Sequence, residues 1–140
     1  MARVFWFRRD LRLQDNIALN AAVKGAKSDG DNQVCGLYAV DLEKFHALSG
    51  ARQWSLHASL DALGASMDRK LVIQHGQVAE SVLKTALAAN AKIVHATRAF
   101  DPDGIAEQNA VGFKLKQKEI FLQLDDSYYA VAPGTVQKPD

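Results

Sequence analysis

Apolar residues concentrate in five short runs along this chain, of which residues 4–7 and 34–40 are continuous, and the segments between the runs carry a helical repeat. The first run, residues 4–7, contains valine, two phenylalanines and a tryptophan. Runs that are rich in β-branched and aromatic residues are typical of strands buried on both faces of a parallel sheet. The pattern predicts strands at residues 4–7, 34–40, 70–74, 91–97 and 119–124.

The segments between the runs repeat apolar residues every three or four positions, as a helix with one buried face does. The clearest stripe consists of Leu56, Leu60, Leu63 and Met67. The first helix has Asp15 or Asn16 available as a cap, because a short polar side chain accepts the free N–H groups of the first turn. Helices or helical turns are predicted at residues 15–27, 42–48, 51–69, 78–87 and 105–116.

Strands and helices that alternate in this way predict an α/β domain, in which one parallel sheet is covered by helices on both faces. We expect a doubly wound, five-stranded sheet in the order 3-2-1-4-5, with the first strand in the centre. All strands then end at one edge of the sheet. A crevice opens at that edge beside the first strand, because the direction of winding reverses there.

Composition indicates one globular domain of ordinary make-up. The 140 residues are 48% hydrophobic and 24% charged, and a net charge of +1 does not indicate a nucleic-acid-binding protein. Cys35 is the single cysteine, which suits a reducing compartment. No apolar run approaches the roughly 20 residues that span a bilayer, and the start lacks the features of a secretion signal. We therefore expect a cytoplasmic protein with no membrane partner.

Several common sites are missing from the sequence. The first strand is not followed by the glycine pattern of a dinucleotide site, and there is no phosphate-binding P-loop. Cys35 lies in a predicted strand, where it serves most simply as a small core residue. Paired metal-ligand spacing is absent from the four histidines, which are His46, His57, His75 and His95. We expect no metal site and no catalytic residue in this chain.

Polar and aromatic residues instead gather where the predicted strands end. Arg8 and Arg9 follow the first strand, residues 38–41 end the second strand, and residues 100–103 follow the fourth. Arginine, aromatic and carboxylate groups that face one crevice suit a flat polar heterocycle better than a metal ion.

The start of the chain resembles the amino-terminal signature of the DNA photolyase/cryptochrome family, W-F-R-x-D-L-R-x-x-D-N-x-A-L. A second segment, DSYYAVAPGT at residues 126–135, resembles the stretch that leaves the first domain in that family. The resemblance therefore brackets the whole chain. The positions that fit the signature are Trp6, Phe7, Arg8, Asp10, Leu11, Arg12, Asp15, Asn16, Ala18 and Leu19.

The resemblance implies a Rossmann-like amino-terminal domain at residues 1–124 that holds a light-harvesting pigment, and the start of an interdomain linker at residues 125–140. The chain looks most like a class I cyclobutane pyrimidine dimer photolyase, a deoxyribodipyrimidine photo-lyase that uses light to repair DNA. In that family a helical domain follows, contacts the first domain and binds both FAD and damaged DNA. Since the sequence stops before such a domain, we expect a monomeric fragment without repair activity of its own.

The pigment in this family is either methenyltetrahydrofolate or 8-hydroxydeazaflavin. Folate-binding members carry an Asn-Glu pair that aligns with Asp103 and Gly104, so the pair is missing here and folate is disfavoured. Deazaflavin-binding members have an aspartate that aligns with Ala99, which leaves either a weaker site with Asp101 as substitute or no pigment. The resemblance assigns pigment binding to Arg9, Tyr38, Ala39, Val40, Asp41, Phe45 and Asp101.

Three alternatives stay open at this point. Arg8 and Arg12 can pair with Asp10 and Asp15 and hold the domain together, instead of contacting a pigment. The full-length protein can be a blue-light receptor of the cryptochrome type. The chain can also be a free-standing nucleotide-binding α/β module without photochemistry.

A first domain on its own is also expected to leave uncovered an apolar face that meets the helical domain. Trp54 falls off the apolar stripe of its helix and is one candidate for that face. Residues 128–131 are another candidate.

Overall fold

A computed structural model describes residues 3–8, 11, 13, 16–30, 33–67 and 71–126, and all its strands and helices lie in these ranges. The strands are β1 (Arg3–Phe7), β2 (Val34–Val40), β3 (Leu71–His75), β4 (Ile93–Thr97) and β5 (Phe121–Asp125). The helices are α1 (Ile17–Asp29), α2 (Leu42–Ala47), α3 (Gly50–Ser66), α4 (Val78–Ala88) and α5 (Pro102–Gln117). None of these helices is long and apolar enough to cross a bilayer.

The five strands form one parallel sheet in the order β3-β2-β1-β4-β5, which confirms the predicted topology. The central strand β1 pairs with β2 along its whole length, and Phe7 lies opposite Tyr38 at the end of that ladder. On its other side β1 pairs with β4, where Val4 lies opposite Val94. Since β2 continues to Val40, two residues beyond this pair, Arg8 and the last residues of β2 lie at the same carboxyl edge.

The central strand is buried on both faces, which explains its continuous apolar sequence. Val4 and Trp6 belong to a core cluster that includes α4 and α5. Phe5 and Phe7 belong to a second cluster on the opposite face, together with α1 and α3. The rings of Phe5 and Phe7 pack edge to face with their centroids 4.6 Å apart. The sheet is therefore covered on both faces, as predicted.

Helix caps explain where the observed boundaries agree with the prediction and where they differ. Asn16 caps α1, since its Oδ1 accepts a hydrogen bond from the Leu19 N–H at 3.1 Å. Helix α5 begins at Pro102 rather than at residue 105, because the Asp101 carboxylate caps it and proline fits the first helical position. Strand β5 begins later than predicted, at Phe121, since Glu119 has a left-handed backbone with φ of 58°.

Trp54 lies on the outer side of α3 with 74% of its surface exposed. That exposure agrees with a position outside the core of this domain. The second candidate for an interdomain face, residues 128–131, lies outside the described residues.

Candidate functional site

A cleft with a volume of about 240 Å³ opens at the carboxyl edge of the sheet, where β1 and β2 end. Helix α2 borders one side of the cleft and the start of α5 borders the other. This is the edge at which doubly wound sheets bind ligands. Five of the residues assigned to the pigment site line the cleft together: Tyr38, Ala39, Val40, Asp41 and Phe45.

Tyr38 supplies a half-buried phenol to the cleft. Burial raises the pKa of Tyr38 above its usual value, and the nearby Glu107 carboxylate raises it further. The hydroxyl therefore keeps its proton at neutral pH and can donate a hydrogen bond. The ring offers a flat apolar surface beside it.

Asp41 sets the position of α2 relative to the cleft. Its Oδ1 accepts hydrogen bonds from the Glu43 N–H at 3.1 Å and the Lys44 N–H at 3.3 Å, which makes Asp41 the cap of the helix. Lys44 and Phe45 then follow in the first turn and also line the cleft. One capping carboxylate thereby places a cation and an aromatic ring at the same wall.

Arg8 lies at the end of β1 with only 9% of its side chain exposed. Its Cζ lies 4.6 Å from the centre of the Trp6 ring, a cation–π distance. The guanidinium donates to Glu107 Oε1 and Gln108 Oε1, each at 2.9 Å, to the Gly104 carbonyl at 2.9 Å and to the Thr97 carbonyl at 3.3 Å. Arg8 therefore fastens β1 to the first two turns of α5, so its role is to hold the domain together.

The loop after β4 is closed by hydrogen bonds of its own. Asp101 Oδ2 accepts from the Gly104 N–H at 3.0 Å as the cap of α5. Gln108 Oε1 accepts a hydrogen bond from the Ala99 N–H at 2.9 Å. Ala99, which aligns with an aspartate of the deazaflavin-binding members, therefore contributes a backbone contact and no carboxylate. A side chain at Gly104 would overlap Ala99 and Asp101, which keeps this turn compact. Asp103 and Gly104 line the cleft on this side, and a pigment contact of Asp101 stays a prediction.

Arg9, the remaining predicted pigment residue, lies outside the described residues. So do Asp10, Arg12 and Asp15, which were considered as ion-pair partners within the signature. Among the described residues Arg8 pairs with Glu107, at 2.9 Å, and its pairing with Asp10 or Asp15 stays a prediction. The prediction for Arg9 therefore stays a prediction.

Sequence reasoning missed three polar residues of the site, which are Lys44, Glu107 and Gln108. Glu107 and Gln108 lie one turn into α5, on the side that meets β1. Their separation from Arg8 by about 100 residues leaves no local signal in the sequence. For Lys44 a signal exists, because Asp41 before a helical segment marks a cap and fixes which residues open the helix.

His95 is fully buried in the middle of β4, opposite Phe5 of β1, and its ring meets the side chain of Arg3. Arg3 Nη1 lies 3.0 Å from Nε2, and since arginine only donates, Nε2 accepts and the ring proton is on Nδ1. Burial, together with the Arg3 charge, lowers the pKa of His95 to about 4. Nδ1 has no hydrogen-bond partner among the described residues, which also contain no metal-ligand cluster of three or more side chains.

The family model described as DNA photolyase matches residues 3–140. This chain belongs to the DNA photolyase family. It corresponds to the amino-terminal domain of the wider photolyase/cryptochrome family, as its start and fold indicated. The match includes the strand ends, α2 and the start of α5, so the cleft belongs to the matched region.

The individual proteins to which this chain is similar include photo-lyases and a cryptochrome. Deoxyribodipyrimidine photo-lyase of Agrobacterium fabrum is 37% identical over 138 residues, which cover 96% of this chain and 27% of that protein. Cryptochrome-1 of Sinapis alba is 29% identical, covering 94% of this chain and 26% of that protein. A bacterial class III photolyase from Agrobacterium tumefaciens has a similar crystal structure, with a TM-score of 0.79 and 28% identity over 99% of this chain and 28% of that one. The chain thus spans about a quarter of the length of these relatives.

Proposed function

We propose that this chain is the antenna domain, that is, the pigment-binding amino-terminal domain, of a deoxyribodipyrimidine photo-lyase that repairs cyclobutane pyrimidine dimers. The carrying observation is the cleft at the carboxyl edge, where an aromatic wall and several polar groups meet in a chain 37% identical to a photo-lyase. Class I membership stays a prediction from the sequence, since the similar crystal structure is that of a class III enzyme.

The cleft suits one flat ring system with polar edges. Tyr38 and Phe45 supply the apolar wall, and Lys44 offers a donor at the same side. We propose 8-hydroxydeazaflavin as the pigment, held also by Asp41 and Arg9. Ala99 supplies no carboxylate, and one lost charge-assisted hydrogen bond weakens binding by about ten- to a hundredfold.

When bound, such a pigment absorbs light and passes the excitation energy to a reduced FAD. The residues of this chain fix the position and orientation of the pigment ring. By the family resemblance, the FAD and the damaged DNA are bound by a helical domain of the full-length protein. We therefore expect residues 1–140 alone to bind no FAD through that domain's site and to leave dimer-containing DNA unrepaired under light.

Titration of the purified chain with 8-hydroxydeazaflavin, followed by pigment fluorescence, tests the proposal. We expect weak saturable binding that Arg9→Ala reduces by about tenfold. The matched control is Arg52→Ala, since Arg52 is exposed on α3 and does not line the cleft. Tight folate binding without deazaflavin binding, or an unchanged affinity of Arg9→Ala, would contradict the assignment.

A blue-light receptor is the second candidate, because a cryptochrome is also similar to this chain at 29% identity. The two functions differ in the chemistry of the full-length protein. They do not differ in the cleft at the carboxyl edge of the sheet, which we call the antenna cleft. Light-dependent loss of cyclobutane dimers from DNA, measured with the full-length protein, supports the repair enzyme. A photoreduced flavin without any dimer loss supports the receptor. A chain that binds ordinary nucleotides but no light-absorbing pigment would instead be a nucleotide-binding module.

A further inference from the structure

The charges of this domain are distributed unevenly between the two edges of its sheet, although the net charge is only +1. The strands begin and the long helices end at one edge, which we call the amino edge. Carboxylates concentrate at the opposite, carboxyl edge, where five aspartates lie at or after strand ends. These are Asp41, Asp101, Asp103, Asp125 and Asp126. A near-neutral net charge is therefore compatible with a basic amino edge.

Six exposed lysines lie at the amino edge, in the second half of a helix or directly beside the start of a strand. None of them has an ion-pair partner among the described residues. Asp29 at this edge is already paired with Arg3, at 2.8 Å. The Glu80 carboxylate is paired with Lys114, at 3.2 Å, and Glu119 is an exposed acid among the lysines. The six lysines are Lys24, Lys27, Lys84, Lys92, Lys116 and Lys118.

Phe121 opens β5 at the same edge, with 62% of its surface exposed. Its N–H donates to the Lys92 carbonyl at 2.9 Å, so its backbone lies directly beside that lysine. The turn that leads to Phe121 is closed by two hydrogen bonds to the Leu115 carbonyl, from the Lys118 N–H at 3.0 Å and the Ile120 N–H at 2.9 Å. The fold thus holds an exposed aromatic ring among lysines.

The stability of the fold explains only part of this arrangement. Cations near the carboxyl end of a helix interact favourably with its dipole, which accounts for Lys116 and Lys118 at the end of α5. That effect does not act on Lys92, which precedes a strand. Ile120 is buried and fills the core position at the start of β5, so the exposed Phe121 ring contributes little to packing.

Lysines around an exposed aromatic ring suit a single strand of nucleic acid. The ammonium groups attract phosphates, and an unpaired base can stack on the ring. A duplex keeps its bases stacked and offers only its phosphates to such a surface. A membrane surface is usually bound by an amphipathic helix with several apolar side chains, whereas Phe121 is a single ring on a strand.

We propose that the amino edge binds single-stranded nucleic acid, with an unpaired base stacked on Phe121 and the adjacent phosphates held by Lys92, Lys116 and Lys118. Binding is independent of base sequence, because every base has a face that can stack. The surface lies at the opposite edge from the antenna cleft, and none of these residues lines that cleft. The inference therefore goes beyond the proposed function, in which a helical domain binds the damaged DNA.

Fluorescence anisotropy of a labelled oligothymidine of about 16 nucleotides, titrated with the purified chain, tests this inference. We expect a Kd of about 10⁻⁴–10⁻⁶ M at physiological salt, which weakens as the salt concentration rises. Lys92→Glu should lower the affinity by about fivefold and reduce the salt dependence by about one phosphate contact. The matched control is Arg52→Glu, which changes the net charge equally on α3 and should leave the affinity within about twofold.

The aromatic contact has its own pair of variants. Phe121→Leu keeps an apolar side chain but removes the stacking surface, and should weaken binding by at least about fivefold. Trp54→Leu is the matched control, since Trp54 is an aromatic residue that is 74% exposed on α3. Glu119→Gln removes the acid among the lysines and should strengthen binding by about twofold. Circular dichroism and urea unfolding show whether each variant is folded.

A duplex of the same length should bind at least about fivefold more weakly than the single strand. Equal binding of duplex and single strand, or an unchanged affinity of folded Phe121→Leu or Lys92→Glu, would overturn the inference. Tighter binding to vesicles of phosphatidylcholine and phosphatidylserine would assign the surface to a membrane instead. Phe121→Leu and Lys92→Glu should leave the binding of 8-hydroxydeazaflavin within about twofold, so the failure of this inference is distinguishable from that of the proposed function.

Discussion

The two ends of the central strand carry the same residue type in different surroundings. Arg3 opens β1 and donates to both carboxylate oxygens of Asp29, at 2.8 and 3.3 Å, while its Nη1 meets the buried His95 ring. Arg8 follows β1 and donates to two side chains and two carbonyls around the start of α5. Both guanidinium groups are largely buried, with 14% and 9% of the side chain exposed.

The difference between the two ends lies in what remains for a ligand. At the amino edge Arg3 is packed against α1, since a side chain at Gly25 would overlap the guanidinium. At the carboxyl edge Arg8 forms one border of an open cleft, but its donors are already used by the protein. A buried arginine whose Nη1 and Nη2 groups already bind the protein shapes the border of the cleft, and the recognition of a ligand by neighbours such as Tyr38 and Asp41 stays a prediction.

Removal of Arg8 should have the largest effect on stability. Arg8→Ala leaves the Glu107 carboxylate and two carbonyls without their donor, so we expect the free energy of unfolding to fall by about 4 kcal/mol. Arg8→Lys keeps the charge but loses the planar fork, and should recover less than half of that loss. Urea unfolding at neutral pH measures both variants. A loss below about 1 kcal/mol in Arg8→Ala would show that the network contributes little.

The free energy of unfolding should decrease in acid because of the buried His95. His95 has a pKa of about 4 in the folded protein against 6.5 as its usual value, so below pH 6.5 the unfolded chain binds more protons. The contribution of His95 to the free energy of unfolding is therefore complete above pH 6.5. It falls by roughly 3 kcal/mol in total as the pH decreases toward 4. Urea unfolding between pH 7 and 4 measures this decline. His95→Gln should flatten the curve in this window, and an equal slope in that variant would assign the effect to other groups.

Arg3→Ala tests the same edge from the other partner. We expect a loss of about 2 kcal/mol, because the His95 ring loses a charged hydrogen-bond donor. Arg3 also lowers the pKa of Asp29 and helps to lower that of His95, so both values should rise in the variant. Titration of both side chains by NMR is the measurement. An unchanged pKa of Asp29 would contradict the hydrogen-bonded pair.

The smallest effect is expected at the α2 cap. Asp41→Ala removes the acceptor for the Glu43 and Lys44 N–H groups, which costs about 1 kcal/mol or less in an exposed helix. Pigment affinity should fall by more than this stability loss explains, because Lys44 and Phe45 lose their fixed position. Asp41→Asn keeps a capping oxygen and serves as the matched variant. If the Asp41→Ala and Asp41→Asn variants bound the pigment with equal affinity, the helix cap would not be what supports pigment binding.

Much of the fold could be predicted because its signals are local. Short apolar runs identified all five strands, and the expected reversal of winding predicted the strand order. The early start of α5 was missed although Asp101 and Pro102 form a recognisable cap and first position. The boundary prediction gave more weight to apolar spacing than to this pair.

The candidate site was predictable only in part, for a geometric reason. Tyr38 lies near the end of β2 and Asp41 follows it, so topology alone places both at the carboxyl edge. Glu107 lies within a helix, and its direction depends on how α5 packs against the sheet. The partners that Arg8 has among the described residues follow from that packing as well, so Glu107 and Gln108 were not predicted.

The central position of β1 also has a consequence for the order of folding. Pairing of β1 with β2 joins residues about 30 apart, whereas pairing with β4 joins residues about 90 apart. The longer loop costs about 1 kcal/mol more in closure entropy, so we expect the β1–β2–β3 half to form first. The antenna cleft is complete only when α5 has docked, since Asp103 and Glu107 belong to it. Pulse-labelled hydrogen exchange should therefore protect β2 before β5, and a pigment should accelerate neither step but slow unfolding.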